Sequence, residues 1–334
     1  MIVVTGGAGM IGSMIAWHLN SKPSKNGQVR DNLVLVDDIT HPDQWQNLVH
    51  RQYAEYLGKD QLFDFLDGNE DITAVIHMGA ISATTETDFN KLVADNIHYS
   101  QDLWSWCAEN DVPFFYASSA ATYGDGSAGY DDASIENLRP LNGYGYSKHF
   151  FDQWVLKQVA ENMPAPPAWA GFKFFNVYGP NEYHKERMAS VAFHTFNQFS
   201  ETGTMKLFKG TKAGIEDGEQ MRDFVYVKDC AEIVCHFFEA SLSNKPAPSA
   251  IYNIGTGQAR SFKDLATSVM ASMGREPHIT YVDMPEDLRG KYQYFTEANM
   301  AKLRKAGYKK PMTSLEDGVQ DYVQHYLMQE DKYC

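Results

Sequence analysis

Cysteine is scarce in this chain of 334 residues. The four cysteines are Cys107, Cys230, Cys235 and Cys334, and no two of them are spaced as a C-x-x-C pair. So few cysteines in so long a chain exclude the disulfide framework that small secreted proteins use. We therefore expect no metal site and a reducing, cytoplasmic location. Cys230 and Cys235 are expected to be buried helix cysteines rather than metal ligands.

Positive charge and long apolar runs are also lacking. Lys and Arg number 29 against 43 Asp and Glu, so the formal net charge is -14. Such a chain repels phosphates and anionic lipids, and we expect neither a nucleic acid nor a membrane as partner. No stretch approaches the ~18 apolar residues of a membrane span, and the N-terminus has no basic signal-peptide region. A phosphorylated ligand therefore requires a local cluster of donors.

Short apolar segments alternate with amphipathic segments over the first half of the chain. Strands are predicted at 2–4, 33–36, 74–77, 114–117 and 172–175, and helical patterns lie near 11–19, 43–57, 88–109 and 144–160. Near-continuous apolar strands separated by helices are typical of a parallel sheet covered on both faces. The sequence therefore predicts an α/β protein with a doubly wound Rossmann sheet.

The alternation becomes irregular after the fifth predicted strand, where the loops lengthen. This change predicts a smaller α/β domain that is built from C-terminal excursions out of the first domain. We assign residues 1–175, with about 224–250 and 308–330, to the Rossmann domain. Residues 176–223 and 251–307 are assigned to the smaller domain.

Three glycines follow the first predicted strand. Gly6, Gly9 and Gly12 form the pattern G-x-x-G-x-x-G, and a helical pattern begins directly after it. Glycine permits a tight turn and the close approach of a pyrophosphate, and the helix N-terminus supplies free N–H groups. Asp37 ends the next strand, where a carboxylate can bind an adenosine ribose, while Asp38 is compatible with ribose binding or with a turn cap. These features predict a dinucleotide site.

Tyr144 and Lys148 form a Y-x-x-x-K pattern at the start of an amphipathic helix. Residues four apart share one helix face, so we expect the lysine to stabilise the phenolate and lower the phenol pKa. Ser119 directly follows the fourth predicted strand, and strand C-termini face the ligand crevice of such sheets. The three residues predict proton transfer at a substrate hydroxyl.

These motifs together resemble the extended short-chain dehydrogenase/reductases, a family that mostly modifies nucleotide sugars. The resemblance implies a nicotinamide cofactor in the Rossmann domain and a nucleotide sugar in the smaller one. Further runs typical of its epimerases and dehydratases are Phe174–Pro180, Arg222–Val227 and Tyr252–Gly257.

One branch of this family is indicated by the run 184–194, HKERMASVAFH, together with 292–296. Both are similar to enzymes that epimerise ADP-heptose at C6 by transient oxidation with a retained cofactor. The resemblance implies an ADP-heptose ligand, a homo-oligomer and a role in lipopolysaccharide core synthesis. A nucleotide-sugar 4-epimerase, dehydratase or decarboxylase is the alternative, although Ala120 and Ala121 replace the Asp-Glu pair of dehydratases. A non-catalytic dinucleotide-binding regulator is a further alternative, which the intact Y-x-x-x-K pattern disfavours.

The resemblance also implies roles for single residues. Tyr144 and Lys185 are the two acid/base groups, Lys148 holds the nicotinamide ribose, and Ser119 assists at the substrate hydroxyl. Two bases suit an epimerase because the carbinol oxygen points in opposite directions in the two isomers. The residues implied for the cofactor are Gly6, Gly9, Met10, Ile11, Gly12, Asp37, Asp38, Lys59, Met78, Gly79, Ala80, Ile81, Ser82, Asn96, Lys148 and Val177. Those implied for the nucleotide sugar are Ser119, Asn176, Arg187, His194, Phe208, Lys209, Gly210, Thr211, Arg222 and Tyr292.

Three departures from the family pattern bear on specificity. Gln44 stands where this branch commonly has a lysine near an adenosine 2′-phosphate. Family resemblance therefore favours NADP, whereas Gln44 and the two neighbouring aspartates favour NAD. Glu186 and Arg187 replace a smaller Gly-Ser pair, and the stretch 212–219 is acidic. Each of these last two changes is a place where a different sugar or nucleotide would be accommodated.

Overall fold

The structure is a computed structural model that describes residues 1–22, 29–212, 214–243, 245–286 and 292–334. Small parts of the predicted domain ranges, and residue 213 of the acidic stretch, lie outside the described residues. The strands are β1 (Ile2–Thr5), β2 (Leu33–Val36), β3 (Glu55–Leu57), β4 (Ala74–His77), β5 (Phe114–Ser119), β6 (Trp169–Phe174), β7 (Asn176–Tyr178), β8 (Met205–Phe208), β9 (Met221–Tyr226), β10 (Ala250–Ile254), β11 (Ala259–Ser261) and β12 (Ile279–Val282).

Helices connect most of these strands. The α-helices are α1 (Met10–Ser21), α2 (Leu62–Asp67), α3 (Phe89–Leu92), α4 (Tyr99–Glu109), α5 (Gly143–Ala160), α6 (Val191–Thr202), α7 (Val227–Ser241), α8 (Phe262–Ser272), α9 (Ala301–Lys305) and α10 (Leu315–Tyr322). A π-helical stretch, Val93–His98, joins α3 to α4 without a break. None of the described helices is long and apolar enough to cross a bilayer.

A seven-stranded parallel sheet forms the centre of the molecule. Its strand order is β10-β6-β5-β4-β1-β2-β3. Neighbouring side chains of one strand point to opposite faces, so Val3 packs into one buried cluster while Ile2 and Val4 pack into another. Helix α1 contributes side chains to the cluster that contains Ile2 and Val4, and helix α4 contributes side chains to the cluster that contains Val3. The predicted doubly wound sheet is confirmed.

The region 43–57 differs from the prediction of a helix. A short 3₁₀ helix, Gln44–Leu48, is followed by the edge strand β3. The prediction was wrong because the apolar spacing of Trp45, Leu48 and Val49 imitates a helical face, although Trp45 and Val49 are exposed. A three-residue edge strand is too short to show alternation.

Two small sheets lie outside the large one. One has the order β11-β9-β7, and the other pairs β12 with β8 in parallel. Helix α8 and β8 share a small core of their own, which includes Leu207 and Met270. Strand β10 belongs to the seven-stranded sheet, so 251–254 of the predicted smaller domain lie in that sheet. The domain division itself stays a prediction.

The cysteines are unpaired, as expected. Cys107 lies buried in α4, and Cys230 and Cys235 lie buried in α7. Burial raises the pKa of the Cys107 thiol above its ordinary value, so this thiol stays protonated. The described residues contain no cluster of His, Cys, Asp and Glu side chains suited to a metal ion.

A buried ion pair joins the sheet to α5. Lys173 Nζ lies 2.5 Å from Asp152 Oδ2 and 2.7 Å from Thr122 Oγ1, and both charged side chains are fully buried. Asp152 also accepts hydrogen bonds from Tyr116 and Ser118 at the end of β5. The pair therefore fixes α5 relative to the C-terminal end of β5.

Lys173→Met leaves the Asp152 carboxylate buried without a counter-charge. We expect the free energy of unfolding, measured by urea denaturation, to fall by about 3–5 kcal/mol. Lys157→Met is the matched control, since Lys157 pairs with Glu161 at 3.9 Å on the exposed side of the same helix. This control should change stability by less than ~1 kcal/mol, and equal effects of the two variants would refute the argument.

Candidate active site

The glycine turn closes tightly between β1 and α1. Gly6 has a φ of +65°. Its backbone lies so close to that of Gly79 that a Cβ on Gly6 would meet Gly79 N at 2.6 Å. A Cβ on Gly12 would lie 2.1 Å from Gly6 O. Helix α1 has Gly9 as its N-cap and no side-chain cap, so its first N–H groups are available to a phosphate. This cradle fits a dinucleotide pyrophosphate.

A cavity of about 540 Å³ lies at the C-terminal ends of β1, β2 and β4. It is lined by most of the residues predicted for the cofactor, namely Gly6, Gly9, Met10, Ile11, Gly12, Asp37, Asp38, Lys59, Met78, Gly79, Ala80, Ile81 and Ser82. Asn96, Lys148 and Val177, also predicted for the cofactor, do not line it. The sequence analysis did not assign Thr40, Tyr99, His184 and Met188 to this cavity, although they line it too.

The end of the cavity that contains Asp37 and Asp38, which is predicted to bind the adenosine ribose, is acidic. Asp37 Oδ2 accepts the Ala8 N–H at 2.9 Å, and burial raises the pKa of Asp37 to about 6. Asp38 Oδ1 accepts the backbone N–H of Lys59, while the Lys59 amine pairs with Asp95 at 2.8 Å. The positive charge of Lys59 is therefore already engaged by a carboxylate.

Asn96 does not line the cavity, but it supports a segment that does. Its amide accepts the Ile81 N–H at 2.9 Å and donates to Ile81 O at 3.0 Å and to Ser147 Oγ at 3.0 Å. It thus holds the loop 78–82 and ties it to α5. His77 contacts Thr5 Oγ1 at 2.6 Å and Ser100 Oγ at 2.9 Å, and burial lowers its pKa to about 3. His77 is therefore a neutral packing residue.

Ser119, Tyr144 and Lys148 meet where β5 ends and α5 begins. Ser119 hydrogen-bonds Tyr144, and Lys148 Nζ donates to Ala117 O at 2.9 Å. Burial raises the pKa of the Tyr144 phenol and lowers the pKa of Lys148 to about 8. The expected lowering of the phenol pKa by Lys148 is wrong here, because burial dominates and the Lys148 amine is bound to a carbonyl oxygen. The Ser119 hydrogen bond opposes the effect of burial.

Lys185 comes from a different part of the chain. It lies in the 3₁₀ segment Tyr183–Met188 and lines the dinucleotide cavity together with His184. Burial lowers the pKa of Lys185, and the nearby Glu182 carboxylate opposes this shift. The structure thus brings a second ionisable group, carried by a separate segment, to the cavity that the glycine turn forms.

Two asparagines that the sequence analysis missed anchor this segment to the glycine turn. Asn47 donates to Ala8 O at 2.8 Å and to Asn181 O at 3.1 Å, and its amide contacts His184 Nδ1 at 3.3 Å. Asn181 donates to Ser13 Oγ of α1 at 2.9 Å. Because these contacts join residues 39 to 168 positions apart, no local spacing in the sequence signals them.

The residues predicted for the sugar nucleotide divide into two groups. In the first, the Arg222 guanidinium is buried between the rings of Tyr292, 5.0 Å away, and Phe262, 5.5 Å away. Phe208 packs edge-on against Tyr292. The described hydrogen bond of Arg222 goes to Met221 O at 2.8 Å, which leaves other guanidinium N–H groups available to a diphosphate.

The loop after β8, which contains Lys209, Gly210 and Thr211, lies beside this first group of residues. Thr211 Oγ1 lies 2.7 Å from Tyr294 OH, and Lys209 pairs with Asp283 at 3.1 Å. Gly210 N–H donates to Asp217, so the acidic stretch folds back onto the segment before it. Glycine is required at this point, because a Cβ on Gly210 would lie 1.9 Å from Ile215 O.

The second group lies after β6 and around α6. Asn176 is exposed at the start of β7, and Val177 pairs with Val225 of β9. Arg187 is exposed, and its carbonyl oxygen is 3.4 Å from His194 Nε2. The described contacts do not bring Asn176, Arg187 or His194 to Arg222, so their place at the substrate stays a prediction, as does the place of Val177 at the cofactor.

Comparison with known proteins gives full-length matches. The model of the NAD dependent epimerase/dehydratase family matches residues 2–255. A Fusobacterium nucleatum subsp. nucleatum protein named ADP-L-glycero-D-manno-heptose-6-epimerase is 50% identical over 346 residues, with 100% of both chains covered. A Nitratidesulfovibrio vulgaris (strain DP4) protein of the same name is 46% identical over 338 residues, also with 100% of both covered. The crystal structure of Helicobacter pylori ADP-L-glycero-D-manno-heptose-6-epimerase has a TM-score of 0.78 and 27% identity, covering 97% of this chain and 95% of that chain.

The backbone of Glu186 is strained, so a substitution at this position is expected to change the stability of the protein. Its φ of 47° and ψ of -126° suit glycine, not glutamate, so Glu186→Gly should raise the free energy of unfolding by about 1 kcal/mol. Glu186→Ala is the matched control, because it removes the same carboxylate and its 3.7 Å ion pair with His41 but keeps the strained backbone. Thermal unfolding compares the two variants. A glycine variant that melts no higher than the alanine variant would contradict the strain argument.

Proposed function

The chain belongs to the NAD dependent epimerase/dehydratase family, and we propose that it interconverts ADP-D-glycero-D-manno-heptose and ADP-L-glycero-D-manno-heptose. The observation that carries the proposal is the presence of Lys185 in the wall of the dinucleotide cavity, in addition to the Tyr144 site. Two full-length relatives bear the name of this activity, which confirms the resemblance seen in the sequence. The reaction is an isomerisation without net oxidation.

The proton chemistry follows from the two ionisable groups. A bound nicotinamide supplies the acceptor for a hydride from C6 and later its donor. Oxidation at C6 also requires a base for the proton of the C6 hydroxyl, and reduction of the ketone requires an acid. Tyr144 serves one epimer and Lys185 serves the other, since the two hydroxyls point in opposite directions. Ser119, hydrogen-bonded to Tyr144, orients the hydroxyl or ketone oxygen at that side.

The ADP moiety requires cations in an otherwise acidic chain. The planar guanidinium of Arg222 can donate to two phosphate oxygens at once. The rings of Tyr292 and Phe262 on either side hold it in place. Burial lowers the pKa of Arg222, but an arginine retains its charge in a protein. We assign the diphosphate to Arg222 and the adenosine to the neighbouring segment 208–211.

The cofactor is a nicotinamide dinucleotide, and we propose that NAD is preferred over NADP. A 2′-phosphate on the adenosine ribose would approach Asp37 and Asp38, whose carboxylates repel it. Lys59 is neutralised by Asp95, and Gln44 donates to Asp37 at 3.5 Å instead of offering a charge. A homo-oligomer and a cytoplasmic location stay predictions from the sequence.

The reaction is tested with purified protein and ADP-D-glycero-D-manno-heptose, without added cofactor. We expect proton NMR to show the C6 epimer appearing until both epimers are present, because the retained cofactor is reduced and reoxidised in each turnover. Failure to convert the sugar, even with NAD and NADP added, would refute the proposal. Conversion of other nucleotide sugars under those conditions would then support a 4-epimerase or dehydratase, and bound cofactor without any turnover would support a regulator.

Tyr144→Phe and Lys185→Met provide the controls for the two bases. Each should lower turnover by at least ~100-fold, the usual contribution of a general acid/base, while the cofactor stays bound. Lys157→Met is a matched lysine variant, since Lys157 is exposed near the end of α5 and does not line the dinucleotide cavity. Near-normal epimerisation by Lys185→Met would exclude the scheme with two bases.

Cofactor preference is tested by calorimetric titration with NAD and NADP. The combined change Asp38→Asn and Gln44→Lys should shift the affinity ratio toward NADP by at least about tenfold, equal to ~1.4 kcal/mol. Asp43→Asn is the control, since Asp43 is exposed, is adjacent to Gln44 and does not line the cavity. Tighter binding of NADP than NAD by the unaltered chain would contradict the assignment.

A further inference from the structure

Asn47 is a buried residue whose side-chain amide joins two separate parts of the dinucleotide site. Its Nδ2 donates to Ala8 O of the glycine turn at 2.8 Å and to Asn181 O at 3.1 Å. Asn181 lies shortly before the 3₁₀ segment Tyr183–Met188, here called the Lys185 segment. One amide nitrogen therefore connects the phosphate cradle to the start of the Lys185 segment.

Asn181 continues this connection to α1. Its side chain is fully buried, and its Nδ2 donates to Ser13 Oγ at 2.9 Å, in the helix whose first residues line the cavity. If the Lys185 segment moves away from the cavity, these buried hydrogen bonds break. Buried polar groups without partners are unfavourable, so the two asparagines oppose such a movement.

The Lys185 segment is itself part of the cavity wall. His184, Lys185 and Met188 line the same cavity as the glycine turn and the loop 78–82. A dinucleotide bound in this cavity therefore lies between the phosphate cradle and the Lys185 segment. Its release on the side of the segment requires the segment to move, and the amide of Asn47 opposes that movement.

The loop after β2 contacts the Lys185 segment as well. This loop contributes Gln44 to the cavity wall, and the same short 3₁₀ helix contains Asn47. His184 Nδ1 lies 3.3 Å from Asn47 Nδ2, and His41 Nε2 lies 3.7 Å from a carboxylate oxygen of Glu186. The loop and the Lys185 segment thus touch at two places beside the cavity that they both line.

Hydrogen bonds also join the two ends of the Lys185 segment. The side chain of Glu182 accepts the Gly179 N–H at 3.3 Å before the segment and the Ser190 hydroxyl at 2.7 Å after it. Ser190 is the N-cap of α6, so the base of the segment is fixed to that helix. The segment is therefore a loop closed at its base, and Asn47 holds this loop to the glycine turn.

We propose that Asn47 is a positioning residue that retains the bound dinucleotide, because it holds the Lys185 segment closed at the cavity. The inference goes beyond the proposed function, since it needs a nicotinamide cofactor but no particular sugar. Loss of a residue that only stabilises the fold would lower the melting temperature without changing how fast the cofactor leaves. The two roles therefore differ in the rate of cofactor release.

Two variants remove the connection in different ways. Asn47→Ala deletes the amide, and Asn47→Asp keeps its size but places a carboxylate oxygen against two carbonyl oxygens. Asn20→Ala is the matched control, since Asn20 in the last turn of α1 also donates to two carbonyl oxygens, of Arg30 at 2.7 Å and of Gln52 at 2.9 Å. Asn20 does not line the cavity. Thermal unfolding of all three variants shows how much stability each change costs.

The first measurement is the rate of cofactor release. The full chain is loaded with NADH and mixed rapidly with a large excess of NAD, and the loss of bound nicotinamide fluorescence is recorded; NADPH and NADP are used in the same way. We expect release to be at least ~10-fold faster in both Asn47 variants, because opening of the segment then breaks fewer buried hydrogen bonds. Asn20→Ala should match the unaltered chain. An unchanged rate in Asn47→Ala, or an equal rise in Asn20→Ala, would overturn the proposal.

The second measurement follows the Lys185 segment by hydrogen–deuterium exchange. The Lys185 N–H donates to Glu182 O at 3.0 Å, and the Ala189 N–H donates to Glu186 O at 3.1 Å, so exchange at these amides requires local opening. Bound NADH should slow this exchange in the unaltered chain. Asn47→Ala should speed it in the cofactor-free protein, whereas Asn20→Ala should not. Exchange that NADH and NADPH leave unchanged would overturn the proposal.

The two measurements separate this inference from the proposed function, because neither of them uses a sugar. If the protein does not convert ADP-heptose but Asn47→Ala releases its cofactor faster, the proposed substrate is refuted and this inference stands. Binding of neither NADH nor NADPH by the unaltered chain would overturn this inference. If Asn47→Ala does not fold, Asn47→Asp keeps the test open, since an unchanged release rate in that variant contradicts the proposal.

Discussion

The backbone contact at the glycine turn is the constraint on which the site depends. Gly12 lies so close to Gly6 O, and Gly6 so close to Gly79, that neither position accepts a Cβ. These approaches draw the start of α1 and the loop after β4 together at the C-terminal edge of the sheet. Parallel strands end at this same edge, so Asp37, which follows β2, and Ser119, the last residue of β5, both lie at it. The cavity is thus a consequence of topology and of the two missing side chains at Gly6 and Gly12.

Burial then determines the chemistry of the ionisable groups. Desolvation raises the pKa of Asp37 and lowers the pKa of Lys148 and Lys185. In water these lysines would be fully charged and poor bases at neutral pH; in the crevice they approach the range in which protons can be exchanged. Neighbouring anions limit the shift, with Asp152 acting on Lys148 and Glu182 on Lys185. Each lysine therefore lies near a buried carboxylate, although Asp152 is also the ion-pair partner of Lys173.

The sequence predicted the parts of the site that are local in the chain. The glycine turn spans seven positions and the Y-x-x-x-K pattern spans five, so spacing alone indicates which side chains share a turn or a helix face. Asn47 and Glu182 could not be predicted in this way. Asn47 acts through Ala8 and Asn181, across 39 and 134 positions, and the folded chain alone brings these groups together. The helix predicted at 43–57 failed for a related reason, since an edge strand is defined by its partner β2 more than by its own residues.

The placement of the two proposed bases, Tyr144 and Lys185, has a structural consequence. Tyr144 and Lys148 belong to α5, which the Asp152–Lys173 pair ties rigidly to the sheet. Lys185 belongs to a short segment with a strained residue at Glu186, and its anchors are the glycine turn, through Asn47, and the buried Glu182. In the proposed scheme the two bases belong to different elements, so that each can approach one of the two orientations of the C6 hydroxyl. Separate elements have to be held in register: Asn47 and Asn181 join the segment of Lys185 to the glycine turn and α1, and Glu182 joins Gly179 and Ser190 on either side of it.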